Sequence, residues 1–205
     1  MKPTLRSLAA ALLAVAATQA DAELLERPGG MVYDTQSNLT WLVDWNAGAG
    51  SAFDDGTHRT DGRMTWGAAE AWADALVWGD VDDWRLPESS ACFGFNCRTS
   101  EIGALWYDVL GNAAGLPPAD LGPFQHVQPA PYWTATPLDD APGMAWYFNA
   151  QGGSQNVFPV SAQAYAVAVR VGDVTPVPEP SQAWLLLGGL ATVVSLVRRR
   201  GRAAA

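Results

Sequence analysis

Cys92 and Cys97, the two cysteines of the chain, close the stretch Cys92-Phe93-Gly94-Phe95-Asn96-Cys97. In an exported protein so near a pair is most simply a disulfide. Closing so small a loop stabilises by about 2 kcal/mol in the chain-entropy model. Metal binding by the pair is disfavoured, because no histidine lies near it in sequence. His58 and His126 have no serine or cysteine partner in a nucleophile motif, so both read as solvated loop side chains. Asp54, Asp55 and Asp61, and again Asp80, Asp82 and Asp83, offer the hard oxygens that calcium takes. Neither group follows the EF-hand spacing, and solvated loop acids are the alternative. These patterns assign no catalytic residue and no cofactor.

Arg85 is the other residue type of interest. It stands in Trp84-Arg85-Leu86-Pro87, directly after Asp82 and Asp83. A planar fork of donors beside carboxylates can lock several loops through bidentate hydrogen bonds. Trp84 and Leu86 wall that fork, and Pro87 stops any preceding helix. The expectation is a buried structural corner rather than a reactive site.

The elements that must position these residues follow from periodicity. Met31–Asp34 and Leu39–Val43 alternate as a hairpin around Thr35-Gln36-Ser37-Asn38. Residues 46–62, rich in Gly, Ala and Asp, read as a surface loop. Thr65 can cap a helix whose face carries Trp66, Ala69, Ala73 and Leu76 and which Gly79 ends. A second helix, capped by Thr99 or Ser100, has Glu101 in its first turn and a face of Ile102, Leu105, Trp106, Val109 and Leu110. Four prolines between Gly115 and Pro131 rule out a regular element there. Tyr132–Thr136 is a strand, Ala145–Asn149 and Asn156–Phe158 form a hairpin around Gly152-Gly153, and Ala164–Val171 is a final strand. Hairpins flanking two helices give an α+β domain over residues 23–174. Of nine tryptophans before the linker, Trp41, Trp66 and Trp106 sit in core-like periodicities. Trp45, Trp78, Trp133 and Trp146 are then the candidates for a sugar-stacking platform.

Both ends read as address labels. Lys2 and Arg6 precede an apolar run, and Ala20-Asp21-Ala22 has the small-x-small pattern of a signal-peptidase site. Residues 1–22 are therefore expected to be a signal peptide cut between Ala22 and Glu23. Residues 175–182 form a stiff linker containing Pro178-Glu179-Pro180, and 183–197 an apolar span at the short limit for crossing a membrane. Arg198, Arg199, Arg200 and Arg202 follow in residues 198–205, a cluster held on the cytoplasmic side. Motif, short span and terminal arginines in this order resemble the PEP-CTERM sorting signal of Gram-negative bacteria. That resemblance implies handling by exosortase, a membrane-embedded enzyme, with transient residence in the inner membrane and delivery to the cell surface or beyond.

Between Glu23 and Pro180 stand six arginines, no lysine and 20 acidic residues, a net of −14. Such a surface repels nucleic acid and anionic lipid, and suits neutral glycans, cations or a basic partner. Asp34-Thr35, Leu39-Thr40-Trp41-Leu42, Gly62-Arg63-Met64-Thr65-Trp66, Asp83-Trp84-Arg85-Leu86-Pro87, Tyr132-Trp133-Thr134, Ala145-Trp146-Tyr147-Phe148 and Val169-Arg170-Val171-Gly172-Asp173 recur in an order that resembles the Lcl C-terminal-type domain, a domain of unknown function. The resemblance covers about residues 31–173 and implies a fold related to C-type lectins and formylglycine-generating enzymes. Two departures stand out. The family's Trp-Arg-Leu-Pro-Thr continues here as Pro87-Glu88-Ser89-Ser90, and the −14 charge argues against the sulfated polysaccharides that the family's namesake adhesin binds. Formylglycine-generating enzymes carry two cysteines at the spacing of Cys92 and Cys97, but near the end of the domain rather than its middle. The expected function is a non-catalytic binding or adhesion module of the cell surface or extracellular matrix, associated with exopolysaccharide or biofilm. A structural matrix protein without a discrete ligand is the alternative, and an oxidase of the formylglycine-generating type a remoter one.

Overall fold

The computed structural model describes residues 23–174. Within them lie two antiparallel sheets and two short helices: β1 (Leu24–Arg27), β2 (Met31–Asp34), β3 (Leu39–Leu42), α1 (Trp66–Asp74), α2 (Glu101–Ala104), β4 (Pro131–Pro137), β5 (Met144–Asn149), β6 (Ser154–Pro159) and β7 (Val169–Val171). One sheet runs in the order β1-β2-β3-β7 and the other β4-β5-β6. The signal peptide, sorting motif, apolar span and arginine tail expected at residues 1–22 and 175–205 lie outside the described residues. Among the described residues, no helix is long and apolar enough to cross a membrane.

Strand alternation divides the apolar residues between two cores. Val32, Leu39 and Trp41 point into a core with Trp45, Leu105, Trp106, Tyr132 and Phe148. Met31 and Leu42, on the opposite face of the same strands, enter a second core with Met64, Trp72, Trp84, Leu86 and Trp133. Adjacent residues of β4, Tyr132 and Trp133, divide in the same way. Successive Cβ atoms leave opposite faces of a strand, so a strand covered on both sides has no polar face. All four residues of β3 are buried for this reason.

The first hairpin pairs Met31 with Leu42 and Asp34 with Leu39, as expected. Asn38 takes φ 56° at its turn, a left-handed conformation that asparagine tolerates. Strand β1 was not expected from the sequence. It pairs with β2 through a turn containing Gly29 and Gly30 at φ 81° and 74°, where a β-carbon would be strained.

α1 ends at Asp74 rather than continuing to Gly79. Trp78 and Val81 exchange backbone hydrogen bonds, and Trp78 Nε1 donates to the Gly29 carbonyl at 2.6 Å, which draws this segment off the helix axis. Trp72, absent from the expected face, is buried beneath α1. Ser100, not Thr99, caps α2, its Oγ accepting from Gly103 N at 3.2 Å. Leu105–Val109 then widen into a π-helical turn.

The expected strand Ala164–Val171 contracts to Val169–Val171. Its first half makes backbone hydrogen bonds to three separate places, Met64, Pro131 and Trp133, so no single partner strand can form. This segment threads between the two sheets and joins them. Arg170 holds its end through a two-pronged pair with Asp83, at 2.6 and 2.9 Å.

Candidate functional site

Each part of the Trp84–Pro87 corner is fixed by a different neighbour. Trp84, Leu86 and Pro87 are buried. The Arg85 backbone exchanges two 2.9 Å hydrogen bonds with Val169, while Pro87 O accepts from Ala135 N in β4 at 2.8 Å. The guanidinium takes neither of the adjacent acids, Asp82 and Asp83; it forks onto Glu101, Nη2 to Oε1 at 2.7 Å and Nη1 to Oε2 at 2.8 Å. Asp82 is exposed and Asp83 belongs to Arg170. The separation explains the difference: a strand-like backbone sends Asp83 and Arg85 to the same side, but the Arg170 fork reaches Asp83, and α2 begins beside Arg85. Glu101 also accepts from Glu88 N at 2.7 Å, so its carboxylate ties corner and helix start together.

Arg85 is not sealed in. Its side chain remains 29% exposed, against the burial expected of it. It lines a groove of about 350 Å³ with Trp84, Leu86, Ala135 of β4, and Glu70, Ala71 and Asp74 of α1. Of the five guanidinium donors, Nε–H and one Nη2–H have no acceptor among the described residues. Hydrogen bonding to Glu101 holds the guanidinium pKa above its ordinary value. Glu70 and Asp74 face the same groove, and neither carboxylate has a hydrogen-bond or ion-pair partner among the described residues. Burial raises the Glu70 pKa.

This arrangement accepts and donates hydrogen bonds over a small apolar floor. It does not resemble a hydrolytic pair. Glu70 and Asp74 are one helical turn apart on the same element, so they form one wall. Carboxylates that cleave a glycosidic bond flank it from opposite sides. None of the lining residues is serine, cysteine, histidine or lysine.

The disulfide joins Cys92 to Cys97. Gln155, buried in β6, anchors the loop by donating Nε2 to Ser90 O and Cys92 O at 2.7 and 2.8 Å, and Gly94 pairs with the Gln155 backbone. The loop holds Phe93 and Phe95 outward, 61% and 50% exposed. Phe95 borders a second, shallower groove of about 260 Å³ with Gly115, Pro117, Asn149, Gln151, Gly152 and Ser154. The Lcl C-terminal domain model matches residues 30–170.

The chain belongs to the Lcl C-terminal domain family.

No curated protein matches the chain. The Lcl domain match begins after β1 and ends within β7, and the residues just beyond each limit clamp to one another: Arg27 forks onto Asp173 at 2.7 and 2.8 Å. The Trp45, Trp133 and Trp146 platform expected from the sequence is not exposed; the three are 1%, 0% and 2% accessible. Trp45 and Trp133 serve the two cores and Trp146 lies under Phe93, ring centroids 4.5 Å apart. Trp78 alone of the four is half-buried. The exposed aromatics are instead Phe93 and Phe95, which the short disulfide-closed loop holds at the surface. The acidic groups do not converge on a metal: Asp55 accepts from Thr65 N and Oγ1, and Asp61 from Arg63 N. Among the described residues, no group of three or more His, Cys, Asp or Glu is placed to hold an ion. His126 pairs with Asp44 at 3.0 Å, and His58 is exposed. Glu23, the expected mature N-terminal residue, joins the sheet edge through its N–H to Thr35 Oγ1 at 3.0 Å.

Proposed function

We propose that this Lcl C-terminal domain protein is an exported binding or adhesion module that holds a neutral polysaccharide of the cell surface or matrix in the Arg85 groove. The observation that carries the reading is the pair of unpartnered carboxylates, Glu70 and Asp74, facing a guanidinium with two free donors over Trp84 and Leu86. Sugar hydroxyls both donate and accept, and the apolar face of a pyranose ring matches such a floor. The guanidinium is pre-oriented by Glu101, so binding does not have to order it. The −14 charge supports a neutral rather than a sulfated glycan.

Delivery is part of the proposal. Signal peptidase acts between Ala22 and Glu23, and the Pro178-Glu179-Pro180 tail with its arginines is handed to exosortase at the inner membrane. A C-type-lectin-like relationship accords with the two small antiparallel sheets and the disulfide-closed loop, and belongs to the same reading. A screen of the purified chain against immobilised neutral, cationic and sulfated polysaccharides tests it. Retention on a neutral glycan, lost on Glu70→Gln/Asp74→Asn substitution, is expected. Retention by no glycan favours a structural matrix protein.

A further inference from the structure

The loop from Asn46 to Gly62 contains a buried carboxyl group without a counter-charge. Asp54 is 1% exposed. Its Oδ2 accepts from Gly50 N at 3.0 Å and Gly62 N at 2.9 Å, which fixes the carboxylate in place. Its other oxygen, Oδ1, is buried with no hydrogen-bond partner, and among the described residues no arginine or histidine pairs with it. Asn46 Oδ1 is the second buried oxygen of this loop without a partner. Both side chains converge on Gly62: Asp54 receives its N–H, and a β-carbon built there would collide with Asn46 Oδ1.

Two orphaned acceptors at one glycine need a donor or a positive charge beside them. An unpaired buried carboxylate costs several kcal/mol, and a water supplies hydrogen bonds without cancelling the charge. A hard cation does both. Carboxylate, side-chain amide and backbone carbonyl oxygens are the donor set of calcium, which accepts six to eight such ligands. With no lysine between Glu23 and Pro180 and a net charge of −14, the surrounding field concentrates cations rather than repelling them.

We propose that Asn46 Oδ1 and Asp54 Oδ1 ligate a calcium-class divalent cation that organises the 46–62 loop, the remaining ligands being backbone carbonyls and water. The acids expected from sequence to act with Asp54, Asp55 and Asp61, take no part: Asp55 is exposed and commits both oxygens to Thr65, and Asp61, not fully buried, turns back to Arg63 N. The site lies directly before α1, since Asp55 holds Thr65 at the helix start. An emptied site therefore loosens the wall that carries Glu70 and Asp74.

Terbium is the probe, because Trp45 adjoins Asn46 in the chain and sensitises its luminescence. The full-length chain, stripped with a chelator, is titrated with terbium under tryptophan excitation and then with calcium. Saturable emission displaced by calcium is expected, together with a melting temperature that rises by several degrees in calcium over chelator. Asp54→Asn removes the emission and the calcium-dependent rise. Asn46→Asp separates the proposal from a buried water or an Asn46 amide donating to Asp54. With a cation present, the added carboxylate strengthens calcium binding about tenfold or more by ligand charge. Without one, it only places two carboxylates together and lowers the melting temperature equally in calcium and chelator. That second result, or a parent chain indifferent to calcium and dark with terbium, overturns the proposal.

Discussion

Replacing Arg85 by alanine removes three hydrogen bonds, two to Glu101 and one to Leu86 O, and leaves Glu101 with only the Glu88 amide. A fully buried pair broken on one side costs about 3–5 kcal/mol, and an exposed pair about 0.2–1 kcal/mol. Side-chain exposures of 29% for Arg85 and 21% for Glu101 place this pair between those limits. About 2–3 kcal/mol is expected for Arg85→Ala, since hydrogen bonds to charged groups contribute about 1.5–3 kcal/mol. For a domain of this size that lowers the melting temperature by about 4–12 °C. Arg85→Lys recovers only part, because an ammonium cannot reproduce the two-pronged geometry. Glu101→Gln should lie close to Arg85→Ala, and the double variant should cost much less than the sum, since the two residues share one interaction. Urea or thermal unfolding followed by tryptophan fluorescence measures the parent and all four variants. An Arg85→Ala chain that melts with the parent, or strictly additive single losses, refutes the structural half of the corner's role.

Asp83→Asn breaks an ion pair whose carboxylate is 55% exposed, so it costs no more than about 1 kcal/mol after solvent screening, checked by the same unfolding curves. Gly103→Ala drives a β-carbon into the Cys97 carbonyl and Ser100 Oγ, and should abolish soluble folded protein where Gly67→Ala, with open space around it, does not. Acidification separates two sets of carboxyls. Burial raises Glu70 above its ordinary 4.5, so its ionisation takes stability away as pH rises, and melting temperature should climb slightly as pH falls from 7 toward 4.5. Asp83 and Asp173 are lowered below 3.8 by hydrogen bonds from Arg170 and Arg27; their contribution is present above 3.8 and lost as pH falls through the lowered values. Glu70→Gln should erase the climb and leave the acid loss unchanged. Intact mass of protein released from the cell surface should begin at Glu23 and lack Arg198–Arg202.

Local signals in the sequence were sufficient for the hairpins and for the start of α2, whereas Thr65 stands at the start of α1 without capping it, its hydroxyl donating to Asp55 instead. Alternation around Thr35–Asn38 and the serine at position 100 act within a few residues, and both formed where expected. What depends on distant chain was harder to read. Trp45 and Trp133 look like available aromatics until two cores close over them from opposite sides of a sheet. The acids nearest Arg85 in sequence are not its partners, because the partner comes from a helix start 16 residues away. Residues 164–168 have a strand's composition but are shared among several neighbours, which no single-segment pattern reveals. Glu70 and Asp74 became legible as a site only once α1 was seen to lie across the corner.

The central claim is that the Glu70–Asp74–Arg85 groove holds a polysaccharide, and titration calorimetry of the purified chain against a neutral matrix glycan tests it most directly. Parent protein should bind, and Glu70→Gln/Asp74→Asn should lose at least tenfold in affinity while melting within a few degrees of the parent. Parent-like affinity in that double variant, with Phe95→Ala abolishing binding instead, would contradict the assignment and move the site to the disulfide loop.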